Sequence, residues 1–387
     1  MSDREEGRVS MGRKQYERGI SYDDERQLYY LYIDLGRDEN GDRQRRYRTF
    51  RTLAEARKVQ KDILAQKTRA TLLVPSDLTL DQWLGRWMDE IVIPNRAETT
   101  AYGYQRIIQN HISPALGSIP LQKLSSRDLQ HYYAELLRTT GLSANTVRRH
   151  HDLLSAALHA AQRLDLILRS PTERVEPPRV VHKETRYYTS DTLKRLYELA
   201  EGSHLEVAIH LAGSLGLRRE EICGLRWENV DFQLHKLHIC TARTTAGGRI
   251  IEKETKNRSS TRTLHMEEAI EGLLRREARR QQDRKQFLGA AWPDSGLVLV
   301  DESGVPVSPN VLSVSFTRFI RANGLPPITL HGLRHTFATV ASAQGAPLFD
   351  IGKALGHSTP ATTGRIYTHL SDQLHRDTLD RVAAALK

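Results

Sequence analysis

The chain has 387 residues, of which 27% are charged, and its formal net charge is +10 with a pI near 9.6. This length predicts two or three domains, and the positive charge indicates a polyanionic partner, with nucleic acid ranked before an anionic membrane surface. No apolar run is long enough to span a bilayer and no hydrophobic segment after Met1 looks like a signal peptide, so we expect a cytoplasmic protein without membrane contact.

The first predicted element is a β-hairpin in the sequence "QLYYLYIDLGRDENGDRQRRYRTF". An aromatic and β-branched run from Gln27 to Leu35 meets a turn rich in Gly, Asp and Asn, and a second run ends at Phe50. A helix is predicted next, because Thr52 and Glu55 form a capping box ahead of apolar residues at helical spacing. We therefore expect a small sheet with one helix.

The second strand of this hairpin is strongly basic. The strand and its exit carry five arginines, which are Arg43, Arg45, Arg46, Arg48 and Arg51. One interpretation is an edge strand that its charge protects from aggregation, and the other is a sheet that reads DNA. Because strand side chains alternate between faces, Arg43 and Arg45 share a face with Tyr47, and we expect that face to enter a DNA groove.

An all-helical stretch follows the polar break "LLVPSD". Each predicted helix has a polar cap ahead of an apolar stripe, and the caps are Thr79, Thr99 or Thr100, Ser125 or Ser126, and Ser143. The helix after Ser143 carries Arg148 and Arg149 near its start. A compact bundle that clamps DNA with such residues and an ordinary helical bundle are both compatible with this pattern.

A Pro-rich, charged stretch, "ILRSPTERVEPPRVVHKETRYYT", predicts an interdomain linker, because its prolines stop helices and hold the backbone extended. The pattern beyond it is mixed. Helices are predicted from about Ser190, from Ser203 and from Glu267, with short strands around "KLHICTA" and "TRTLHM". Cys223 and Cys240 are too few for a disulfide framework and are expected to be plain buried thiols.

The stretch "HGLRHTF" at 331–337 concentrates charge on one helix face. His331, Arg334 and His335 stand at i, i+3 and i+4. Two histidines at this spacing can share a zinc ion, but such a site needs an acidic helper, and Arg334 between them repels a cation and attracts an anion. A solvated helix face is the alternative, so the choice depends on the rest of the chain.

Further fragments give this motif a context. They are "LGLRREEICGLRW" with Arg218 and Glu221, "EKETKNRSSTRTLHM" with Lys256, "ALGHST" with His357, and "TTGRIYTHL" with Tyr367. Together with His331 and Arg334, in order and in spacing, they resemble the signature of the tyrosine recombinases, the phage-integrase family. The helical region resembles that family's core-binding domain. The N-terminal hairpin and helix are similar to the arm-binding domain of integrases from lambda-like phages and conjugative transposons.

The chemistry of these residues suits phosphoryl transfer on DNA. Two guanidiniums, those of Arg218 and Arg334, can hold the nonbridging oxygens of a phosphodiester. Glu221, one turn after Arg218, is expected to orient that arginine. His335 lies outside the family's catalytic set and is expected to support the residues that touch the phosphate.

The resemblance assigns the remaining catalytic roles. Tyr367 is the nucleophile, whose covalent phosphoryl intermediate stores the energy of the broken bond, so neither a nucleotide cofactor nor a metal is expected. Lys256 is the general acid, with Lys253 three residues away as the alternative. His331 and His357 donate to the phosphate or assist proton movement at the tyrosine.

The expected fold is multidomain α+β, with a small N-terminal β-sheet plus helix, a helical core-binding bundle, and a mixed, mainly α catalytic domain with a small antiparallel sheet. The expected boundaries are 1–72 for an arm-type DNA-binding domain, 73–172 for the core-binding (SAM-like) domain and 173–387 for the catalytic domain. The C-terminal segment "SDQLHRDTLDRVAAALK" suits docking on a neighbouring protomer or packing in cis.

The expected activity is site-specific recombination that integrates and excises a mobile element. The implied partners are core and arm attachment sites on double-stranded DNA, a homotetramer on that DNA, and an excisionase or a DNA-bending host factor. Two other functions stay open. One is a type IB topoisomerase, which uses the same chemistry, and the other is a noncatalytic DNA-binding regulator.

Overall fold

A computed structural model describes residues 13–37, 43–68, 75–180, 186–254 and 261–356. The chain divides into two compact units, residues 1–181 and residues 182–387. The architecture is α+β, with many helices and small antiparallel sheets, which confirms the predicted fold class. In the ranges given above, no helix is long and apolar enough to cross a membrane.

The N-terminal sheet has four antiparallel strands in the order β1-β2-β3-β4. They are β1 Arg13–Glu17, β2 Ile20–Asp23, β3 Leu28–Arg37 and β4 Arg43–Phe50, followed by helix α1 Leu53–Thr68. The predicted hairpin is β3–β4. Strands β1 and β2 are too short and polar to give an alternating pattern, so the sequence does not predict them. Ile20, Leu31 and Ala56 form a small core with Phe50.

The register of β4 decides which of its residues share a face. Arg48 pairs with Leu31, which is buried in that small core, whereas Tyr47 pairs with Tyr32 and is 53% exposed. The one irregularity, between Asp34 and Gly36, lies on β3 and leaves the alternation of β4 intact. Positions 43 and 45 therefore share the face of Tyr47, opposite the core.

Residues 75–180 of the first unit are mainly helical. The helices are α2 Leu80–Trp87, α3 Ile93–Asn95, α4 Glu98–Ile107, α5 Ser113–Leu116, α6 Ser126–Thr139 and α7 Ala144–Arg163, with π-helical turns at Met88–Val92 and Ile108–Ile112. Their apolar stripes meet in one core, in which Trp83 Nε1 donates to Ala157 O at 3.0 Å and ties α2 to α7. A 3₁₀ turn at Pro171–Arg174 ends the region, and 175–180 have no regular structure.

The capping signals locate three of these helices. Thr79, Ser125 and Ser143 each accept a hydrogen bond from a backbone N–H of the first helical turn, as the sequence predicts. The predicted start at Thr99 or Thr100 is wrong, because α4 begins at Glu98 after Ala97, which has no side-chain cap. An uncapped start leaves no polar signal at the boundary.

The second unit combines helices with two small antiparallel sheets. The helices are α8 Ser190–Ala200, α9 Glu206–Ser214, α10 Arg219–Gly224, α11 Glu268–Leu288, α12 Pro309–Ala322, α13 Leu330–Ala343 and α14 Leu348–Leu355. The strands are β5 Val230–Asp231, β6 Lys236–Ile239, β7 Thr241–Ala246, β8 Arg249–Glu254 and β9 Arg262–His265. The sheet order is β5-β6-β9, and β7 pairs with β8.

In this unit, both predicted strand segments contain a strand, and one predicted helix start is wrong. Strands β6 and β9 lie in the two predicted segments, and α8 and α11 begin where expected. Helix α9 does not begin at Ser203, because Ser203 first closes a turn by accepting the backbone N–H groups of Leu205 and Glu206. Helix α13 packs against α9 in a large core that includes Leu211, Phe316 and Leu333.

Candidate active site

The C-terminal end of α14 receives three arginines on three successive backbone carbonyls. Arg262 Nε donates to Ala354 O at 2.6 Å, Arg334 Nη2 to Leu355 O at 2.5 Å, and Arg218 Nη2 to Gly356 O at 3.1 Å. The last carbonyls of a helix have no intrahelical partner and lie at the negative end of the helix dipole, so cations stabilise them. We call Arg218, Arg262 and Arg334, together with Glu221, the arginine cluster.

Arg218 occupies the N-cap of α10 and is held from within that helix. Its backbone N–H donates to Glu221 Oε2 at 2.8 Å, and its Nη1 donates to Glu221 Oε1 at 2.8 Å. Glu221 thus contacts Arg218, the arginine that it is predicted to orient. The Arg218 side chain is 31% exposed, so an anion in solvent can reach its guanidinium.

Glu221 also binds Arg262, which begins β9. Arg262 Nη1 and Nη2 donate to the two carboxylate oxygens at 3.0 and 2.9 Å, and both side chains are almost fully buried. Burial alone would raise the pKa of Glu221, but the hydrogen bonds and charges of Arg262 and Arg218 outweigh it and hold that pKa below its usual value. The arginine cluster thus combines three guanidiniums with one carboxylate, which contacts two of them, and the cluster keeps an excess of positive charge.

Arg334 is the most deeply buried of the three arginines. Its Nη1 donates to Gly216 O at 2.6 Å, so the guanidinium bridges the loop after α9 and the end of α14. Gly216 has φ +64°, and a Cβ there would lie 2.6 Å from Leu355 Cδ2 and 2.8 Å from Phe337 Cδ1. Burial and the charge of Arg218 lower the pKa of Arg334 to about 9, which leaves it protonated at neutral pH. A bound anion would relieve this repulsion.

His331 and His335 lie beside the arginine cluster on α13. Partial burial and the charges of Arg334 and Arg218 lower the pKa of His331, while burial lowers the pKa of His335 to about 4. The two rings meet edge to face with centroids 4.7 Å apart. Both imidazoles are neutral at pH 7, so each can donate one hydrogen bond and accept another. The His331 ring packs against His335 but keeps solvent-exposed surface, and His335 is half-buried.

Three predicted catalytic residues lie outside the described residues. Lys256 falls in the connection between β8 and β9, His357 follows Gly356 directly, and Tyr367 lies further on, as does the C-terminal segment proposed for docking. Lys253, the alternative to Lys256, is on β8, where it pairs with Ala242 of β7. The structure thus brings Arg218, Glu221, His331 and Arg334 together, and the other three roles stay predictions.

The candidate DNA contacts of the first unit differ in their surroundings. Arg148 Nε donates to Asp152 Oδ1 at 3.1 Å along α7, so part of its charge is compensated. Arg149 is exposed, and so is Tyr47 of the N-terminal sheet. Arg149 is therefore the more available of the two helix arginines for an anionic partner.

The sequence does not single out Arg262 and Gly216 as parts of this site. Arg262 appears there only as one of several charges near Lys256, and its partner Glu221 lies 41 positions earlier. Gly216 lies 118 positions before Arg334, to which it is hydrogen-bonded. Local spacing carries no signal for contacts at such separations.

Two family models match the chain. The phage integrase family matches residues 186–374, which contain the whole arginine cluster, and the N-terminal SAM-like domain of phage integrases matches residues 79–137. The chain belongs to the phage integrase family. It is therefore a tyrosine-type site-specific DNA recombinase, as the motifs predict.

Curated relatives of this integrase-family chain match it over most of its length. A protein named "Tyrosine recombinase XerC-like" from Caldanaerobacter subterraneus subsp. tengcongensis is 25% identical over 364 residues, covering 89% of this chain and 93% of the relative. An integrase of Streptomyces ambofaciens is 26% identical over 360 residues, covering 90% and 91%. The ICEBs1 integrase of Bacillus subtilis is 24% identical over 291 residues, covering 75% and 77%.

Solved integrase structures share the fold. The Tn1549 transposon integrase in complex with transposon right end DNA aligns with a TM-score of 0.68 at 21% identity, covering 79% of this chain and 99% of that chain. A lambda integrase tetramer bound to a Holliday junction aligns with a TM-score of 0.57 at 19% identity, covering 90% and 94%.

Proposed function

We propose that this recombinase breaks and rejoins DNA through a 3′-phosphotyrosyl link on Tyr367, and that it thereby integrates and excises a mobile element. The observation that carries the proposal is the arginine cluster, in which Arg218 and Arg334 hold adjacent carbonyls at the end of α14 beside His331. The names of the relatives, which include integrases of phages and of ICEBs1, support the role in a mobile element.

The chemical step exchanges one phosphodiester for another. The Tyr367 hydroxyl gives up its proton with the help of His331 or His357, and its oxygen attacks the scissile phosphorus. The bond from phosphorus to the 5′-oxygen breaks, and Lys256 gives that leaving oxygen its proton. A free 5′-hydroxyl then reverses the same steps on a new partner. Because the phosphotyrosyl bond stores the energy of the broken bond, rejoining needs no cofactor.

The residues near α14 stabilise the charge that gathers on the phosphate. Arg218 is partly exposed, and each Nη of the buried Arg334 has a second N–H beyond the one given to its backbone carbonyl, so both guanidiniums can donate to the phosphate. His331 is neutral at pH 7 and donates one hydrogen bond to a nonbridging oxygen. His357 joins from the residue after Gly356.

The DNA partners are core and arm attachment sites. The SAM-like domain and the catalytic unit hold the core site, with Arg148 and Arg149 as contacts, while the N-terminal sheet reads the arm site through the face that carries positions 43, 45 and 47. Four protomers assemble on two sites, because two strand exchanges on two duplexes need four nucleophiles. An excisionase or a DNA-bending factor would set the direction of the reaction.

A nicked suicide substrate tests this proposal. The substrate carries the end sequence of the element with a nick near the scissile phosphate, so that cleavage traps the covalent adduct on a denaturing gel. Tyr367→Phe should bind this DNA as wild type does and form no adduct, because only the nucleophilic oxygen is lost. Tyr187→Phe, at an exposed tyrosine of the same unit, is the matched control and should form adduct normally.

The outcomes separate the rival functions. A normal adduct yield from Tyr367→Phe would place the nucleophile elsewhere. DNA binding by the wild type without any adduct would favour a noncatalytic regulator. Relaxation of supercoils without recombination between two sites would favour a topoisomerase.

A further inference from the structure

We propose that Arg262 is a positioning residue for Arg218: by neutralising Glu221, it keeps the positive charge of Arg218 available to the scissile phosphate. The inference rests on the proposed function, since it assumes that Arg218 binds that phosphate. Arg262 itself does not touch DNA in this proposal, because its side chain is only 6% exposed and all three of its nitrogens hydrogen-bond protein oxygens.

The hydrogen bonds of Glu221 are shared evenly between the two arginines. Oε1 accepts from Arg218 Nη1 at 2.8 Å and from Arg262 Nη1 at 3.0 Å. Oε2 accepts from the Arg218 backbone N–H at 2.8 Å and from Arg262 Nη2 at 2.9 Å. Arg262 therefore provides the two-pronged ion pair, while Arg218 contributes a single guanidinium nitrogen to the carboxylate.

The charge balance follows from these bonds. Glu221 is 3% exposed, so its carboxylate must be compensated by protein groups. With Arg262 present, the pair Glu221–Arg262 is neutral and Arg218 keeps a full positive charge. Without Arg262, the carboxylate would pair with Arg218 alone, and the field that Arg218 presents to a phosphate would be weakened.

Arg262 also connects the segments that form the site. It is the first residue of β9, directly after the connection that carries Lys256. Its Nε donates to Ala354 O, and the next two carbonyls along the chain accept from Arg334 and Arg218. One side chain thus fixes the start of β9 relative to α10 and to the end of α14. Positioning and charge compensation are two results of the same set of hydrogen bonds.

The test compares Arg262→Gln, Arg262→Lys and wild type in the full-length chain, each on two nicked substrates. One substrate has an ordinary scissile phosphodiester, and the other has a methylphosphonate there, which lacks the negative charge. On the phosphodiester we expect Arg262→Gln to form adduct about 10- to 100-fold more slowly, the range for groups that act through another site residue, with unchanged DNA affinity. Arg262→Lys should recover most of the rate, because it restores the charge.

The methylphosphonate substrate distinguishes a defect in the charge of Arg218 from a defect in the packing of the site. Because that substrate has no phosphate charge for Arg218 to hold, the ratio of wild-type to Arg262→Gln rates should fall toward one. An equal defect of Arg262→Gln on both substrates, or no rescue by Arg262→Lys, would make Arg262 a purely structural residue and overturn the inference. A wild-type rate for Arg262→Gln on the phosphodiester would overturn it as well. Absence of adduct from the wild type would refute the proposed function itself, and the inference with it.

Discussion

Replacing Arg334 with lysine tests whether one buried guanidinium both holds the site together and binds the phosphate. Arg334 Nη1 and Nη2 donate to Gly216 O and to Leu355 O, at 2.6 and 2.5 Å, on two different segments. A lysine ammonium can reach only one of these carbonyls. The other loses a charge-assisted hydrogen bond and stays buried, which costs about 2–3 kcal/mol of unfolding free energy.

In the proposed function, the same substitution also removes a guanidinium donor from the phosphate. The loss of one preorganised donor for transition-state charge slows catalysis by about 10²–10³-fold. We therefore expect Arg334→Lys to unfold at lower urea concentration and to form adduct about 100-fold or more slowly on the nicked substrate. Arg279→Lys, at an exposed arginine of α11, is the matched control and should change neither quantity.

The two measurements together can refute this reasoning. A slow adduct rate with wild-type stability would mean that Arg334 does not hold the two segments together. Lower stability with a wild-type adduct rate, measured on the folded fraction, would remove Arg334 from the phosphate site.

Three further predictions concern packing, cofactors and pH. Gly216→Ala should lower the unfolding free energy by about 2–4 kcal/mol, because it combines a strained positive φ with contacts to Leu355 and Phe337. Gly324→Ala, also at φ +64° but with nothing within 4 Å, should cost only the strain of about 1 kcal/mol in the same urea titration, and equal losses would contradict the packing argument. Adduct formation should persist in excess EDTA without nucleotide, and activity that returned only with zinc would mean that His331 binds a metal. Burial lowers the pKa of His150 to about 4, so the unfolded chain binds a proton that the folded chain does not, and stability should fall by up to about 3 kcal/mol as pH drops from 6.5 to 4. His150→Gln, which does not titrate, should reduce that fall when unfolding is followed by tryptophan fluorescence, to which Trp83 and Trp87 of the same helical core contribute.

The parts of the fold that the sequence predicts are those governed by local chemistry. The caps at Thr79 and Ser125 and the alternating strands of the first hairpin are set by neighbouring residues, and the structure has them where expected. Helix α4 begins earlier than predicted because Ala97 gives no capping signal, and α9 begins later because Ser203 closes a turn. Local patterns do not distinguish a residue that starts a helix from one that precedes it.

The candidate active site also has parts that the sequence predicts and parts that it does not. Motif spacing predicts Arg218, His331 and Arg334 as site residues, and the structure places the two arginines on one helix end with His331 beside them. The sequence gives no indication that Arg262 shares the carboxylate of Glu221, because this contact depends on how β9 packs against α10 and α14. Lys256, His357 and Tyr367 rest on the motifs alone and remain predictions.

The three arginines bind successive main-chain oxygens at the end of α14, so their hydrogen bonds depend on the length of this helix and not on its side chains. Replacing an exposed side chain such as Lys353 leaves all three acceptors in place, because each is a backbone atom. Inserting one residue would rotate the helix end by about 100° and advance it by about 1.5 Å, so that all three arginines would lose their acceptors at once. The site should therefore tolerate substitutions along the exposed side of the segment from Leu348 to Gly356, but not an insertion or a deletion within it.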